Sequence, residues 1–344
     1  MYLKEKQNKT EIIGFIFSLI ILSIVAFYSL VVFWPLNNKI ESINFEVKKG
    51  SSLKEIAEDL IEKKIIEDSQ TFVLAATMMG YEKSIRSGII SIRNLNSNYN
   101  LITELVQGNP VLEKITFPEG LTINQISNLL EKKLNINKQD FIDLCNDKKF
   151  IKSFDIKASS LEGFLFPETY YFQKNENPAV IINKMIKEYK IFFKQNIAYR
   201  LKEINFTELE LLTLASIIEG EALYDVERTK ISSVYHNRLN KNMRLQADPT
   251  IQYIIDDGPR RLYNRDLKIS SPYNTYLNKG LPPGPINNPG RQSMIAVLEP
   301  ENTDFLFFVA DGKGYHVFTR NESEHNVAKK RFKEFRKSIK QMKN

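Results

Sequence analysis

Glu219 is the residue with the clearest chemical placement, a carboxylate closing the apolar run Leu211-Leu212-Thr213-Leu214-Ala215-Ser216-Ile217-Ile218 just before a polar, Pro/Gly-rich second half. An acid that donates a proton near neutral pH needs surroundings that penalise its ionised form, and a hydrophobic wall does so by denying it water. The competing reading is an ordinary solvated glutamate at a helix end. Glycoside cleavage, one chemistry open to such an acid, ordinarily takes two carboxyl groups at a defined separation. Candidates for the second are Glu162 and Glu168, in Leu161-Glu162-Gly163-Phe164-Leu165-Phe166-Pro167-Glu168-Thr169-Tyr170, and Asp248, in Arg244-Leu245-Gln246-Ala247-Asp248-Pro249-Thr250. Spacing does not choose among them, and each is equally suited to a turn or cap. Glu221 lies about 200° round a helix from Glu219, so the two face apart and Glu221 is expected to be a solvated or structural charge.

Ser271 to Arg291 is dense in Pro, Gly, Asn and Tyr, the kind of long irregular segment that lines or caps sites. Tyr273, Asn274, Thr275, Tyr276 and Asn278 suit a sugar, with rings for its apolar faces and amides and hydroxyls for its hydroxyl groups. A rigid surface loop with buried tyrosines is the alternative. No metal ligation and no cofactor are expected. His236, His316 and His325 are scattered without helical pairing or cysteine partners, Gly312-Lys313-Gly314 reads as a hairpin turn, and no nucleophile elbow is present. The single Cys145 is expected to be a packing residue.

The elements that must position these groups follow from periodicity and caps. Thr207-x-x-Glu210 is a capping box, so a helix should run from there to about Ala222, burying a stripe of Leu211, Leu214, Ala215, Ile218 and Ala222. Glu219 then stands at the stripe's edge over Ala215 and Ser216, where small side chains leave room for a substrate. Two segments repeat at an offset of 70 residues: Gly50 with Gly120, Ser52 with Thr122, Leu53 with Ile123, Ile56 with Ile126, Leu60 with Leu130. Each predicts a strand (44–47 and 114–117), a glycine turn and a capped helix. Residues 36–42 read as a tether, and Gly108-Asn109-Pro110 as a break between modules. Beyond residue 160 the pattern predicts a long helix, a second helix, the Pro/Gly loop and a hairpin of Phe305–Ala310 with Tyr315–Thr319 around Asp311-Gly312-Lys313-Gly314. The fold class is α+β.

At the scale of the chain, 344 residues suffice for two or three domains. Ile12 to Trp34 holds 23 residues without a charge, which as a helix spans roughly 34 Å, about a bilayer core. No cleavage site follows, so an uncleaved transmembrane anchor is expected after a cytoplasmic tail of residues 1–11. Lys4, Lys6 and Lys9 precede the span, with Glu5 and Glu11 among them, while Lys39, Lys48 and Lys49 follow it, so charge only weakly orients it. An N-in arrangement places residues 36–344 outside the cytoplasmic membrane. The net charge of +7 is carried from Lys329 onward, where eight Lys/Arg face only Glu334. A nucleic-acid partner is therefore not expected. Within residues 329–344, Phe332, Phe335, Ile339 and Met342 recur at helical spacing and predict a basic amphipathic helix, docked on the domain or touching anionic lipid.

Taken in order, several blocks resemble the MltG (YceG-like) family of endolytic murein transglycosylases. They are Leu161 to Tyr170; Ala215-Ser216-Ile217-Ile218-Glu219-Gly220-Glu221; Asn237-Arg238-Leu239; Met243 to Thr250; Ser271 to Tyr276 with Gly280-Leu281-Pro282-Pro283-Gly284; Asn288-Pro289-Gly290; and Phe308-Val309-Ala310-Asp311-Gly312 through His316 to His325-Asn326. The resemblance implies a single-pass protein of the bacterial cytoplasmic (inner) membrane, with its catalytic domain on the periplasmic or outer side. It implies a LysM-like module over 44–110 and a catalytic domain over 114–335. Glu219 takes the catalytic glutamate's position; Glu162, Glu168, Asn237, Gln246, Asp248, Tyr273, Asn274 and Thr275 are the implied substrate-binding residues. The implied reaction is a non-hydrolytic cut of the MurNAc–GlcNAc bond in nascent glycan strands, leaving 1,6-anhydro-MurNAc ends and limiting strand length beside the cell-wall synthases (penicillin-binding proteins). The chain departs from the family's usual Asp at Glu168 and its usual smaller residue at Tyr315. A hydrolytic muramidase and a non-catalytic glycan-binding scaffold are the alternatives.

Overall fold

The computed structural model describes residues 2–48, 50–256 and 258–342. Lys49, counted among the charges after the apolar span, lies outside them, as do Met1 of the expected tail and the Lys343-Asn344 end of the basic segment. The side chains of Lys4, Glu5, Lys6, Lys9, Lys39 and Met342 lie outside them too. The chain divides into two compact units, residues 1–113 with 173–175 and residues 114–172 with 176–344.

The first unit opens with α1 (Tyr2–Val32) and β1 (Pro35–Val47), followed by α2 (Leu53–Glu62), α3 (Ser69–Met78), β2 (Gly88–Ser97) and α4 (Asn98–Gln107). Within α1, Glu11–Val32 has a mean hydropathy of 2.7 and is long and apolar enough to cross a membrane. Most of its large apolar side chains are exposed, but Val31 and Val32 at its end are buried. β1 starts at Pro35, so the segment expected as a tether is strand; its backbone pairs antiparallel with β2, Phe45 opposite Ile90 and Ser42 opposite Arg93. Ser52 caps α2 through a reciprocal box with Glu55. Phe45, Leu60, Phe72, Ile92 and Leu101 form the centre of this unit's core, each 0% exposed.

The second unit carries β3 (Glu113–Thr116), α5 (Ile123–Leu134), α6 (Lys138–Asn146), α7 (Lys148–Lys152), β4 (Thr169–Phe172), α8 (Pro178–Asn196), α9 (Glu208–Glu221), α10 (Arg228–Asn240), α11 (Asp248–Ile254), α12 (Arg291–Leu298), β5 (Phe307–Ala310), β6 (His316–Thr319) and α13 (Glu322–Met342). Mixed helix and sheet is therefore the architecture. Thr122 caps α5 with Gln125 in the reciprocal role, the counterpart of Ser52 in the first unit. Gly50 and Gly120 before these caps both adopt positive φ, +85° and +77°, which a side chain would resist. β3 pairs with β4, and β5 pairs antiparallel with β6, Phe308 opposite Phe318.

Three helices, α10 to α12, stand where the sequence reading placed loop or a single second helix. α10 escapes an apolar-periodicity test because its buried face includes Ser232, Ser233 and Arg238; Ser233 meets the Thr303 hydroxyl at 2.6 Å. Arg238 donates to the carbonyls of Leu306 and Leu245, each at 2.6 Å. In α13 the ring of Phe335 packs on the β5–β6 turn, where a Cβ on Gly312 would fall 2.2 Å from it.

Candidate active site

The helix that carries Glu219 begins where its cap chemistry dictates. Thr207 accepts the Glu210 N–H and Glu210 accepts the Thr207 N–H, and α9 then runs to Glu221. Every residue from Leu211 to Ile218 is buried, not one stripe. A continuous apolar run has no solvent face, so it is covered on all sides. The small residues admit protein, not a substrate. Ser216 accepts the Ile286 N–H at 3.0 Å, and its carbonyl accepts the Asn287 amide at 2.8 Å. The Pro/Gly segment thus lies directly on α9 and leads into α12.

This packing brings the α12 N-terminus to Glu219. Oε2 accepts the Gly290 N–H at 2.9 Å and the Ser293 hydroxyl at 2.8 Å, while Arg228 Nη1 stands 3.2 Å from Oε1. The Glu219 and Arg228 side chains are 8% and 7% exposed. Arg228 also donates to Asp225 at 2.8 Å and to Ser293. The expected hydrophobic wall is therefore only the shaft of the helix; the carboxyl itself meets three donors. Such charge-assisted bonds fix a carboxyl's position firmly, and a helix start favours negative charge.

A second carboxyl, unforeseen from the sequence, lies beside the first. Glu119 occupies the turn between β3 and α5, and a Cβ on Gly290 would fall 1.8 Å from its Oε1. Burial, then the neighbouring Glu219, raise its carboxyl above the usual range, although the residue as a whole stays exposed; Arg228 and the Arg291 N–H oppose the rise. Asn288 anchors this turn. Gly120 N–H donates to its carbonyl at 2.9 Å, and its side chain accepts the Gly163 and Leu165 N–H groups, both at 2.9 Å.

Residues 45–331 match the YceG-like family. The chain belongs to the YceG-like family. A Bacillus subtilis protein named endolytic murein transglycosylase is 34% identical over 307 residues, covering 85% of each chain. A Streptococcus pneumoniae protein of the same name is 28% identical over 329 residues, covering 85% of this chain and 59% of its own. The crystal structure of a yceG-like protein from Listeria monocytogenes is 33% identical, with a TM-score of 0.59, covering 83% of this chain and 99% of the other.

In this YceG-like protein the other sequence-predicted site residues fall into two sets. In the first, Glu162, Asn237, Asn274 and Thr275 spend polar atoms on bonds inside the protein. Glu162 is 6% exposed and accepts the Ile123 N–H at the start of α5 at 3.0 Å and the Asn288 amide at 2.9 Å. Burial pushes its carboxyl up to about 8, against the pull of those donors. Asn237 spends its amide on the carbonyls of Thr303 and Phe305. Asn274, 0% exposed, gives its amide to Leu267 and Ile269 and accepts the Tyr276 N–H. Thr275 is bonded to the Ala247 N–H and Thr250. Glu168 pairs with Arg291 at 3.2 Å between exposed side chains, and Tyr273 is half-buried against Tyr253.

Gln246 and Asp248 form the second set, on the far side of α9. With Glu221, Arg238 and Tyr276 they line a cavity of about 570 Å³, of which Glu219 is not a lining residue. Glu221 is half-buried and takes the structural one of the two expected roles. Its carboxyl accepts the Tyr235 hydroxyl at 2.9 Å, and burial, then Asp248, push it up to about 8. Tyr276 donates to Asp248 at 2.5 Å. Glu119, Arg228, Gly290 and Ser293 were not picked out as site residues, because nothing in their local spacing joins them to Glu219. The Phe117-Pro118-Glu119-Gly120 turn of the internal repeat and the Asn288-Pro289-Gly290 block were the available signals. Among the described residues no cluster suited to a metal ion is present.

Proposed function

We propose that this YceG-like protein is an endolytic lytic transglycosylase of peptidoglycan, with Glu219 as its acid and base. The observation that carries the reading is the Glu219 carboxyl held by Gly290, Ser293 and Arg228, in a chain whose relatives are named for that activity. Fixed donors on a reacting carboxyl supply the orientation that a proton transfer needs. Glu219 protonates the oxygen joining N-acetylmuramic acid to N-acetylglucosamine as that bond breaks. The muramic 6-hydroxyl attacks the anomeric carbon, and the Glu219 carboxylate takes its proton. The products are a 1,6-anhydro end and a free 4-hydroxyl; no water is consumed, and Glu219 ends as it began. One carboxyl suffices because the nucleophile belongs to the substrate and is present at high effective concentration.

α1 serves as a single-pass anchor that keeps the catalytic unit outside the cytoplasmic membrane, near nascent strands and their synthases. The α1 stretch from Glu11 to Val32 supports that placement. Residues 44–110 are proposed as a LysM-like module, supported by paired antiparallel strands enclosing two capped helices. On the far side of α9, Gln246, Asp248 and Tyr276 offer polar groups for further sugars. Glu119 favours one rival, since a second carboxyl is what a hydrolytic muramidase uses to activate water.

Digestion of uncrosslinked glycan, with the ends identified by mass, tests the reading. Wild type should leave 1,6-anhydro ends and Glu219→Gln should lose cleavage by roughly 10²-fold or more. Reducing ends would instead mean hydrolysis, and undiminished cleavage by Glu219→Gln would remove Glu219 from the chemistry.

A further inference from the structure

The turn that holds Glu119 and the helix start that holds Glu219 are locked to each other. Gly120, at φ +77°, donates its N–H to the Asn288 carbonyl at 2.9 Å, and a Cβ there would lie 3.5 Å from Glu219 Cγ. The Glu119 carboxyl lies on Gly290, where a Cβ would fall 1.8 Å from Oε1 and 2.5 Å from Oε2. The N–H of the same Gly290 donates to Glu219 Oε2 at 2.9 Å. The next N–H, that of Arg291, favours the charged form of Glu119. A bulkier residue at 290 could not bring the two carboxyls together.

The charges facing the pair are few. Arg228 stands 3.2 Å from Glu219 and also acts on Glu119, and Asp225 takes part of that guanidinium at 2.8 Å. Two carboxylates side by side with one shared cation repel, so the pair gains by keeping a proton. Such groups titrate as a unit, in steps that belong to the pair. Burial and the Glu219 charge, the two leading causes of the upward shift at Glu119, agree with this.

We infer that Glu119 is a positioning residue that shares one proton with Glu219 and keeps it available for the glycosidic oxygen. The exchange balances: the Glu119 O–H passes its proton to the Glu219 carboxylate, and the negative charge moves to Glu119, where the Arg291 N–H and Arg228 meet it. Glu219 spends that proton on the leaving oxygen and recovers one from the 6-hydroxyl, so the pair finishes each turnover with one proton. This account rests on the proposed function for its role in catalysis, but the shared proton itself does not.

Two measurements on the full chain in detergent decide it. In kcat/KM against pH on uncrosslinked glycan, replacing a chargeable neighbour with a neutral one removes the repulsion that retains the proton. Glu119→Gln should therefore move the alkaline limb to lower pH, with a loss that is large at the alkaline end and fades toward the acid end, and Glu119→Asp should restore part of the shift. A uniform loss at every pH would mean a structural role and overturn the inference. Carboxyl 13C NMR titration of wild type should show Glu119 and Glu219 titrating in shared steps, reduced to one step in Glu119→Gln. Independent single steps in wild type would overturn it even if neither variant folds. Should Glu219→Gln still cleave, the catalytic assignment fails while the titration still judges the pair.

Discussion

The carboxyls of the second unit divide by what meets them. Glu219 has Arg228 at 3.2 Å, so its charge is compensated where it is buried, and removing that partner would leave an uncompensated ion. Glu162 has only neutral donors, and burial dominates, raising it to about 8. The unfolded chain releases this proton near the ordinary 4.5 while the folded chain holds it to about 8. Glu162 therefore favours folding fully below about pH 4.5, and that preference fades as pH rises through about 8. Wild type should accordingly lose thermal stability relative to Glu162→Gln between pH 5 and pH 9, by on the order of 5 °C, in calorimetric melts. Parallel pH dependence of the two would show that Glu162 is charged throughout.

Several helices in this molecule, α2, α5 and α9 among them, start at side-chain caps and then depend on the segments that cover them. α9 illustrates both, since Thr207 and Glu210 close its first turn and the segment from Ile286 to Gly290 lies on its buried Ser216 and on Glu219. The cap is exposed and local, whereas Asn288 joins the loop to the Gly120–Leu121 turn and to Gly163 and Leu165. Thr207→Ala should cost about 1 kcal/mol and leave cleavage intact. Asn288→Ala strands several buried N–H groups and should cost roughly 3 kcal/mol, with cleavage lost because the α12 start no longer meets Glu219. Urea unfolding beside a cleavage assay separates the two outcomes. Equal effects would mean that the loop does not position the site. The Thr207 cap was legible because its partners lie three residues apart. Asn288 was not, because its bonds to Gly163 and Leu165 span 125 and 123 residues.

Across the whole chain, the apolar helix and the first unit are continuous in their chemistry. α1 ends inside that unit's core, with Val32 1% and Val31 8% exposed and the Val31 carbonyl accepting the Asn98 amide at 3.2 Å. A chain beginning at Leu30 should leave the membrane fraction yet keep the unit's stability. One beginning at Pro35 should lose roughly 3 kcal/mol more, the burial of two valines. Fractionation followed by urea unfolding checks both, and a Leu30 start that stays with membranes would refute the anchor.

From the sequence alone came whatever short-range pattern encodes: the apolar span, the paired Ser52 and Thr122 caps, the extent of α9, and the ordered blocks that point to the YceG-like family. Each rests on residues a few positions apart, where helix period and cap geometry leave little choice. Tertiary structure decided which polar groups face one another. It set Arg228, Gly290, Ser293 and Glu119 around Glu219, turned Glu162 and Asn274 into internal braces, and sank Glu221 beside Tyr235. Those outcomes depend on packing between separate segments, Glu219 on Gly290 across 71 residues and Glu162 on Asn288 across 126, which no local spacing records.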